Sequence, residues 1–228
     1  MRFSTDDHAR VAQAIAAAES DTSGEIFCVF ARQVSSYRDV ALGWSAGAAL
    51  LLPLIVIPLG FDPDWLPGFG GGWEAAHLAA RDVAVGSALA AYALLQAAVF
   101  LLMLVLTAIP AVRRLITPRA LRRERVRKAA LQQFLAHGLH VTEARTGVMI
   151  FAALADHQVE VIADEGIHSK VSDEVWADAA AALAKAMRAG QPVQGFEAAI
   201  GLCGAVLAEH FPPSPDDRNE VADKLIEI

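Results

Sequence analysis

Cysteine and charged residues are both scarce in this chain of 228 residues. It contains 2 cysteines, and 20% of its residues are charged. Two cysteines exclude a small scaffold built on several disulfides, while an apolar content of 55% excludes intrinsic disorder and a collagen-like chain. Typical globular domains contain about 45–50% apolar residues. The composition therefore also departs from that of an ordinary soluble domain.

The apolar excess is concentrated in two segments that lack charge altogether. Residues 40–59 include 15 apolar residues among 20, and residues 83–112 include 25 among 30. The rest of the chain is about 48% apolar, which is the composition of a normal globular domain. The sequence thus indicates a water-soluble domain that carries an inserted pair of apolar segments.

Both apolar segments are long enough to cross a membrane. A helix rises about 1.5 Å per residue, so about 20 residues span a hydrocarbon core of about 30 Å. The alternative is a pair of core helices in a large soluble domain, but such helices rarely run for so long without a charge, because one face usually meets water. We predict a transmembrane helical hairpin over residues 40–112, with spans at about 40–59 and 86–109 and a loop at 60–82.

The distribution of charge predicts the orientation of this hairpin. The loop has a net charge of −3, whereas the segment after the second span has a net charge of +7 up to His137. Positive charges near a membrane favour the cytoplasmic side, and residues 1–7 lack the apolar run of a signal peptide. We expect a multi-pass protein of the bacterial inner membrane with both termini in the cytoplasm. We call the basic residues of that segment the basic collar: Arg113, Arg114, Arg119, Arg122, Arg123, Arg125, Arg127 and Lys128.

The basic collar is expected to fix topology and to bind anionic lipid headgroups. Two alternatives are a nucleic-acid patch and a simply solvated helix face. Residues 138–228 have a net charge of −9, which would repel phosphates and argues against nucleic acid as a partner. The predicted partners are therefore membrane lipids and other membrane or envelope proteins.

The segments outside the hairpin have the pattern of an α/β domain. Helical periodicity occupies residues 5–19, 118–137, 172–188 and 194–210, while short apolar runs at 25–31, 147–154 and 159–163 predict strands. The first two strands enclose a helix, as in a parallel βαβ unit, and the last two are close enough for a hairpin. The domain is thus predicted in two parts, 1–39 and 113–212, followed by a loose acidic tail at 213–228.

The order of these motifs resembles that of the TPM domain family. Four segments have the spacing of that family: Thr22–Ile26 at the entry to the first strand, Thr146–Phe151, Asp156–Val161, and Asp164–Ile167 at a strand end. The glycines of the stretch GQPVQGFEAAIG, residues 190–201, add a fifth. The chain departs from the family pattern in the inserted hairpin and in His157, where the family usually has arginine.

The resemblance implies a fold and a range of activities. The implied fold is α/β: a TPM-like sandwich with a small mixed sheet flanked by helices, here interrupted by the two-helix transmembrane hairpin. Some members of the family are associated with phosphatase activity or metal binding, and others with the maintenance of membrane complexes. For this chain, the resemblance leaves catalysis and interaction both open.

Acidic residues near predicted strand ends are the candidate metal ligands. Asp156 lies in a turn, and Asp164 and Glu165 follow the third strand. Carboxylates from loops suit Ca²⁺ or Mg²⁺, because hard cations take oxygen ligands. The alternative is structural, since aspartate also favours turns and helix N-termini. No other cofactor is indicated.

Two functions follow from these patterns. The sequence contains no P-loop, zinc-protease or serine-nucleophile motif, so the first hypothesis is a non-catalytic interaction module in the assembly or maintenance of membrane or envelope proteins. The alternative is a membrane-tethered, metal-dependent phosphatase that uses the acidic residues. No residue is assigned a catalytic role.

Overall fold

The computed structural model describes residues 2–56, 59, 78–142, 144–213 and 218–228, with the backbone alone for 78–88 and 173. Most of the predicted external loop, 60–82, lies outside these residues. Contacts divide the chain into two compact units. One is made of residues 1–36 and 119–228, and the other of residues 37–118.

The first unit begins with a helix and a strand that the local sequence explains. Helix α1 (Thr5–Glu19) starts at a capping box, in which the Ser4 hydroxyl accepts from the Asp7 amide and the Asp7 carboxylate accepts from the Ser4 amide. Val11 and Ile15, one turn apart, are fully buried. Strand β1 (Glu25–Ala31) follows, and all seven of its residues are buried.

The second unit contains the two apolar segments as helices. They are α2 (Arg38–Val56) and α3 (Leu78–Ala108), and the short helix α4 (Pro110–Ile116) follows. Two stretches, Arg38–Val56 and Leu89–Ala108, are long and apolar enough to cross a membrane. Large apolar side chains on both are exposed, among them Leu51 at 61% and Val105 at 66%.

The chain then returns to the first unit and completes it. The remaining elements are α5 (Arg119–Ala136), β2 (Gly147–Ala153), β3 (Gln158–Ala163), α6 (Glu165–His168), α7 (Ala177–Arg188), α8 (Pro192–His210) and β4 (Leu225–Glu227). A 3-10 turn precedes β2, and another leads into α7. The predicted helix at 172–188 is therefore a 3-10 turn over Asp173–Trp176 and an α-helix from Ala177.

The four strands form one mixed sheet in the order β3-β2-β1-β4. Strand β1 pairs in parallel with β2 from Glu25↔Gly147 to Ala31↔Ala153, although the hairpin segment separates the two strands in sequence. Strand β3 pairs with β2 in antiparallel fashion, and β4 pairs in parallel with β1 over three residues. The predicted parallel pair and hairpin are both confirmed.

Helices cover the two faces of the sheet, which explains why β1 and β2 are apolar at every position. Side chains of successive strand residues point to opposite faces. On one face, Cys28 and Ile150 pack in a core with residues of α1, α7 and α8. On the other face, Phe27 and Phe151 pack with residues of α5. The predicted α/β sandwich, with a small mixed sheet between helices, is confirmed.

The C-terminal segment differs from the prediction. Residues 213–228 were expected to be a loose acidic tail, yet Leu225–Glu227 form strand β4 at the edge of the sheet. The Ile228 amide donates to the Phe30 carbonyl, and the Arg32 amide donates to the Ile228 carbonyl. Leu225 is buried. The prediction is wrong here because a three-residue strand is too short to give a periodic pattern.

Candidate functional site

Acidic side chains gather where strands β1 and β2 begin. The carboxylate of Glu25, the first residue of β1, is buried and accepts hydrogen bonds from the amides of Glu220 and Val221 at 3.0 and 3.2 Å. The Glu19 carboxyl group, at the end of α1, accepts from the Ile26 amide at 2.7 Å. It also makes a side-chain hydrogen bond with Asp223. We call Glu19, Glu25 and Asp223 the carboxyl cluster.

The carboxyl cluster changes the acidity of Glu19. The pKa of Glu19 is raised to about 8, mainly by burial and also by the nearby charges of Glu25 and Asp223, while the hydrogen bond from the Ile26 amide opposes the shift. Glu19 is therefore protonated at neutral pH. A protonated carboxyl group can donate to Asp223, which accounts for two acidic side chains in contact.

Asp164 and Glu165 lie at the same end of the sheet but make a different set of contacts. Asp164 is buried and caps α6 by accepting from the Glu165 amide at 2.7 Å. Arg145 lies 3.6 Å from Asp164 Oδ2 and donates to Glu165 Oε2 at 2.7 Å. Gly166 packs so closely that a Cβ there would lie 2.5 Å from the Arg145 carbonyl oxygen. The Arg145 guanidinium thus offsets the negative charges of Asp164 and Glu165.

Asp156 lies at the opposite end of the sheet. It belongs to the turn before β3, whereas Asp164 follows β3, and a strand of six residues spans about 20 Å. Asp156 is buried in that turn. The structure therefore brings Asp164 and Glu165 together and keeps Asp156 apart from them. Within the described ranges, no three His, Cys, Asp or Glu side chains are grouped so as to hold a metal ion.

A second charged cluster marks the end of the sheet where β1 and β4 finish. Glu227 of β4 accepts from Arg32 at 3.1 Å and lies 3.3 Å from His8 Nε2. Partial burial raises the pKa of Glu227, but the hydrogen bonds from Arg32 and His8 lower it more, and the net pKa is below the usual value. Glu227 thus connects α1, the end of β1 and the C-terminal strand.

The basic collar is divided between two helices. Arg113 and Arg114 lie on α4, and the six residues from Arg119 to Lys128 lie on α5. Arg125 donates to the Ser35 hydroxyl at 2.7 Å, and Arg127 lies 4.0 Å from Glu160. Because the Arg127 side chain is 71% exposed, this contact leaves most of it open to solvent.

Neither cysteine is available as a nucleophile. Burial raises the pKa of the Cys28 thiol well above its ordinary value of 9.0 and that of Cys203 to about 12. Only the thiolate is reactive. Both side chains belong to the core between the sheet and helix α8.

Sequence reasoning found part of these clusters. It named Asp164 and Glu165 as acidic groups near a strand end. It missed Glu19, Asp223 and Glu227, because each gains its partner from a distant segment: Glu227 and Arg32 are separated by 195 positions.

The comparisons with known proteins agree with this architecture. The solved structure of BA42 protein from the psychrophilic bacterium Bizionia argentinensis is similar, with a TM-score of 0.56 and 18% identity over 100% of this chain and 97% of that chain. At this identity the likeness concerns the fold. No curated protein matches the sequence. The model of the TPM domain matches residues 111–206, from α4 into α8. The resemblance to the TPM domain family is thus confirmed, and the chain carries a TPM domain.

Proposed function

We propose that this protein is an integral protein of the bacterial inner membrane whose cytoplasmic TPM domain is a non-catalytic interaction module for other membrane or envelope proteins. The observation that carries this proposal is the insertion of two long apolar helices into a domain. The strands of its sheet come from sequence before and after the insertion. Membrane anchoring of that kind holds the domain at the bilayer surface, where its partners would be other proteins of the same membrane.

The pairing of β1 with β2 supports the hairpin topology. Strand β1 precedes the two apolar helices and β2 follows them, yet the strands pair along all seven residues. Two segments of one sheet must lie on the same side of a membrane. An even number of crossings meets this requirement, and two candidate spans lie between the strands.

Charge supports the cytoplasmic side for the TPM domain. The loop at 60–82 has a net charge of −3, while the basic collar follows the second candidate span directly. Lysine and arginine near span ends favour the cytoplasmic face. Several collar side chains are also exposed, including Arg119, Arg123 and Lys128. They are therefore free to meet the phosphate groups of anionic lipids.

Loss of collar charge is expected to weaken lipid binding. Each basic residue near an anionic surface contributes about 1 kcal/mol. The double variant Arg123→Gln/Lys128→Gln should therefore bind phosphatidylglycerol about 30-fold more weakly. The measurement is the rise in Tm of the detergent-solubilised protein as phosphatidylglycerol is added, because a ligand of the folded state stabilises it. The matched control Lys185→Gln/Arg188→Gln removes two exposed charges from α7 and should keep the wild-type response. Equal responses in both variants would contradict a lipid-binding collar.

Exposed apolar side chains support a surface for a protein partner. Leu131 and Leu135, one turn apart on α5, are 48% and 49% exposed. Residues four apart lie on the same face of a helix. The pair thus forms a small apolar surface on a helix that also bears the collar.

Cross-linking in the native membrane followed by affinity purification tests the interaction. The wild type should recover a partner in stoichiometric amount, and Leu131→Ser/Leu135→Ser should lose it while a control, Val175→Ser on the 3-10 turn, keeps it. Repeated recovery of the bare wild-type protein would contradict an interaction module.

The metal-dependent phosphatase with Ca²⁺ or Mg²⁺ stays a prediction. Its sign would be a higher Tm with either ion together with hydrolysis of a phosphate ester.

A further inference from the structure

The C-terminal segment, residues 218–228, closes one edge of the sheet. Strand β4 pairs only with Cys28, Val29 and Phe30, so the pairing itself is short. Leu225 belongs to the core on one face, and Ile226 packs against the core on the other. The segment lies beyond the TPM match at 111–206. It is therefore an addition to the matched region, and its attachment depends on contacts at its two ends.

At one end, the carboxyl cluster fastens the segment. Glu25 on β1 accepts from the Glu220 and Val221 amides. Asp223 accepts from the Asn219 side chain at 2.6 Å and shares a hydrogen bond with Glu19 on α1. Two carboxyl groups in contact need a proton between them, because two carboxylates would repel each other. This fastening thus depends on the protonation of an acidic side chain.

At the other end, Glu227 fastens the segment by contacts with cations. Its carboxylate is held by Arg32 and His8. Arginine keeps its charge at every physiological pH, so the Arg32 contact does not weaken as the solution becomes alkaline. The two ends of the segment should therefore respond differently when the pH rises.

We propose that the C-terminal segment is a pH-sensitive latch on the sheet: a proton shared between Glu19 and Asp223 holds residues 219–224 against the start of β1, and loss of that proton loosens them. Opening frees residues 219–224 from Glu25 at the start of β1 and leaves the segment attached through strand β4 and Glu227. This device is independent of the role proposed for the domain as an interaction module.

The charged and titratable groups around Glu19 determine whether a rise in pH loosens or tightens the segment. The groups that face it are Glu25 and the Cys28 thiol on β1 and Asp223 on the segment itself. Lys224 on the segment lies near His137. Burial lowers the pKa of His137, and the charge of Lys224 lowers it further. On the segment, Arg218 and Glu220 are exposed. Loss of the proton therefore places three negative charges together.

Proton linkage gives the pH range of the response. The pKa of Glu19 is about 8 in the closed form and 4.5 in an open, solvated form. Between these values the closed form binds the proton and the open form does not, so each rise in pH favours opening. The stabilisation is complete below pH 4.5 and is lost as the pH rises toward 8.

Hydrogen exchange of the full-length protein at pH 6.5 and 8.5 tests the latch. After correction for intrinsic exchange rates, protection of the amides of residues 219–224 should fall about tenfold or more, while the amides of β2 keep their protection. Glu19→Gln mimics the protonated group and should remove the pH response, whereas Asp223→Asn should only weaken it, because burial is the larger cause of the raised pKa of Glu19. The control Glu209→Gln, an exposed carboxylate on α8, should keep it. Equal wild-type protection at both pH values, or a full response in Glu19→Gln, would overturn the proposal.

Discussion

The double variant Leu101→Asp/Leu102→Asp should lose stable insertion into the membrane. Both leucines are 59% exposed and lie near the middle of the candidate span Leu89–Ala108. An aspartate at the centre of a spanning helix costs about 2.5–3.5 kcal/mol, and two together would shift insertion by a factor of more than about a thousand. The measurement is the fraction of protein that stays with membranes after extraction with alkaline carbonate.

A matched pair of leucines distinguishes this loss from general damage. Leu131 and Leu135 on α5 are also about half exposed, but they belong to the TPM domain. Leu131→Asp/Leu135→Asp should therefore stay in the membrane fraction as the wild type does. If the α3 variant also stays there, its leucines do not face lipid. If the wild type itself is extracted, the two apolar helices are surface helices of a soluble protein.

Phe151→Ala should destabilise the TPM domain by about 3–5 kcal/mol, the usual cost of removing a buried phenylalanine side chain. Phe151 is fully buried on β2, between Val29 of β1 and Glu160 of β3. Its ring belongs to the core between the sheet and α5, so removing the ring leaves a cavity between them. The measurement is the free energy of unfolding of the solubilised protein, from denaturant titration.

Val141→Ala provides the control for this prediction. Val141 is 71% exposed after α5, and surface substitutions usually change stability by less than about 0.5 kcal/mol. If Phe151→Ala lowers the free energy of unfolding as little as Val141→Ala does, the result would contradict a sheet that is covered on both faces. A large cost at both positions would show that the assay does not resolve the core from the surface.

The main elements of the fold follow from local sequence. Strands β1 and β2 are continuous apolar runs because helices cover both faces of the sheet. The long segment between them predicts parallel pairing, and the four-residue turn before β3 predicts antiparallel pairing. Strand β4 could not be predicted, because it has three residues and its partner β1 lies nearly the whole chain away.

The candidate site was predictable only in part, for a geometric reason. Asp164 and Glu165, which the sequence placed after the third strand, lie at the end of the sheet where β1 and β2 begin. Asp156 and Asp164 flank the same strand, so the length of β3 alone separates them. By contrast, the contact between Glu19 and Asp223 joins two segments about 200 residues apart. No local pattern could have indicated that contact.

Labelling with a membrane-impermeant maleimide in spheroplasts tests the central claim most directly, which is a membrane hairpin with a cytoplasmic TPM domain. The native Cys28 and Cys203 are buried, so they should contribute little signal. Gly70→Cys, in the loop between the spans, should be labelled in intact spheroplasts. Ala222→Cys, on the exposed surface of the C-terminal segment, should be labelled only after lysis. Labelling of Ala222→Cys in intact spheroplasts with protection of Gly70→Cys would contradict the orientation, and equal labelling of both would contradict the hairpin.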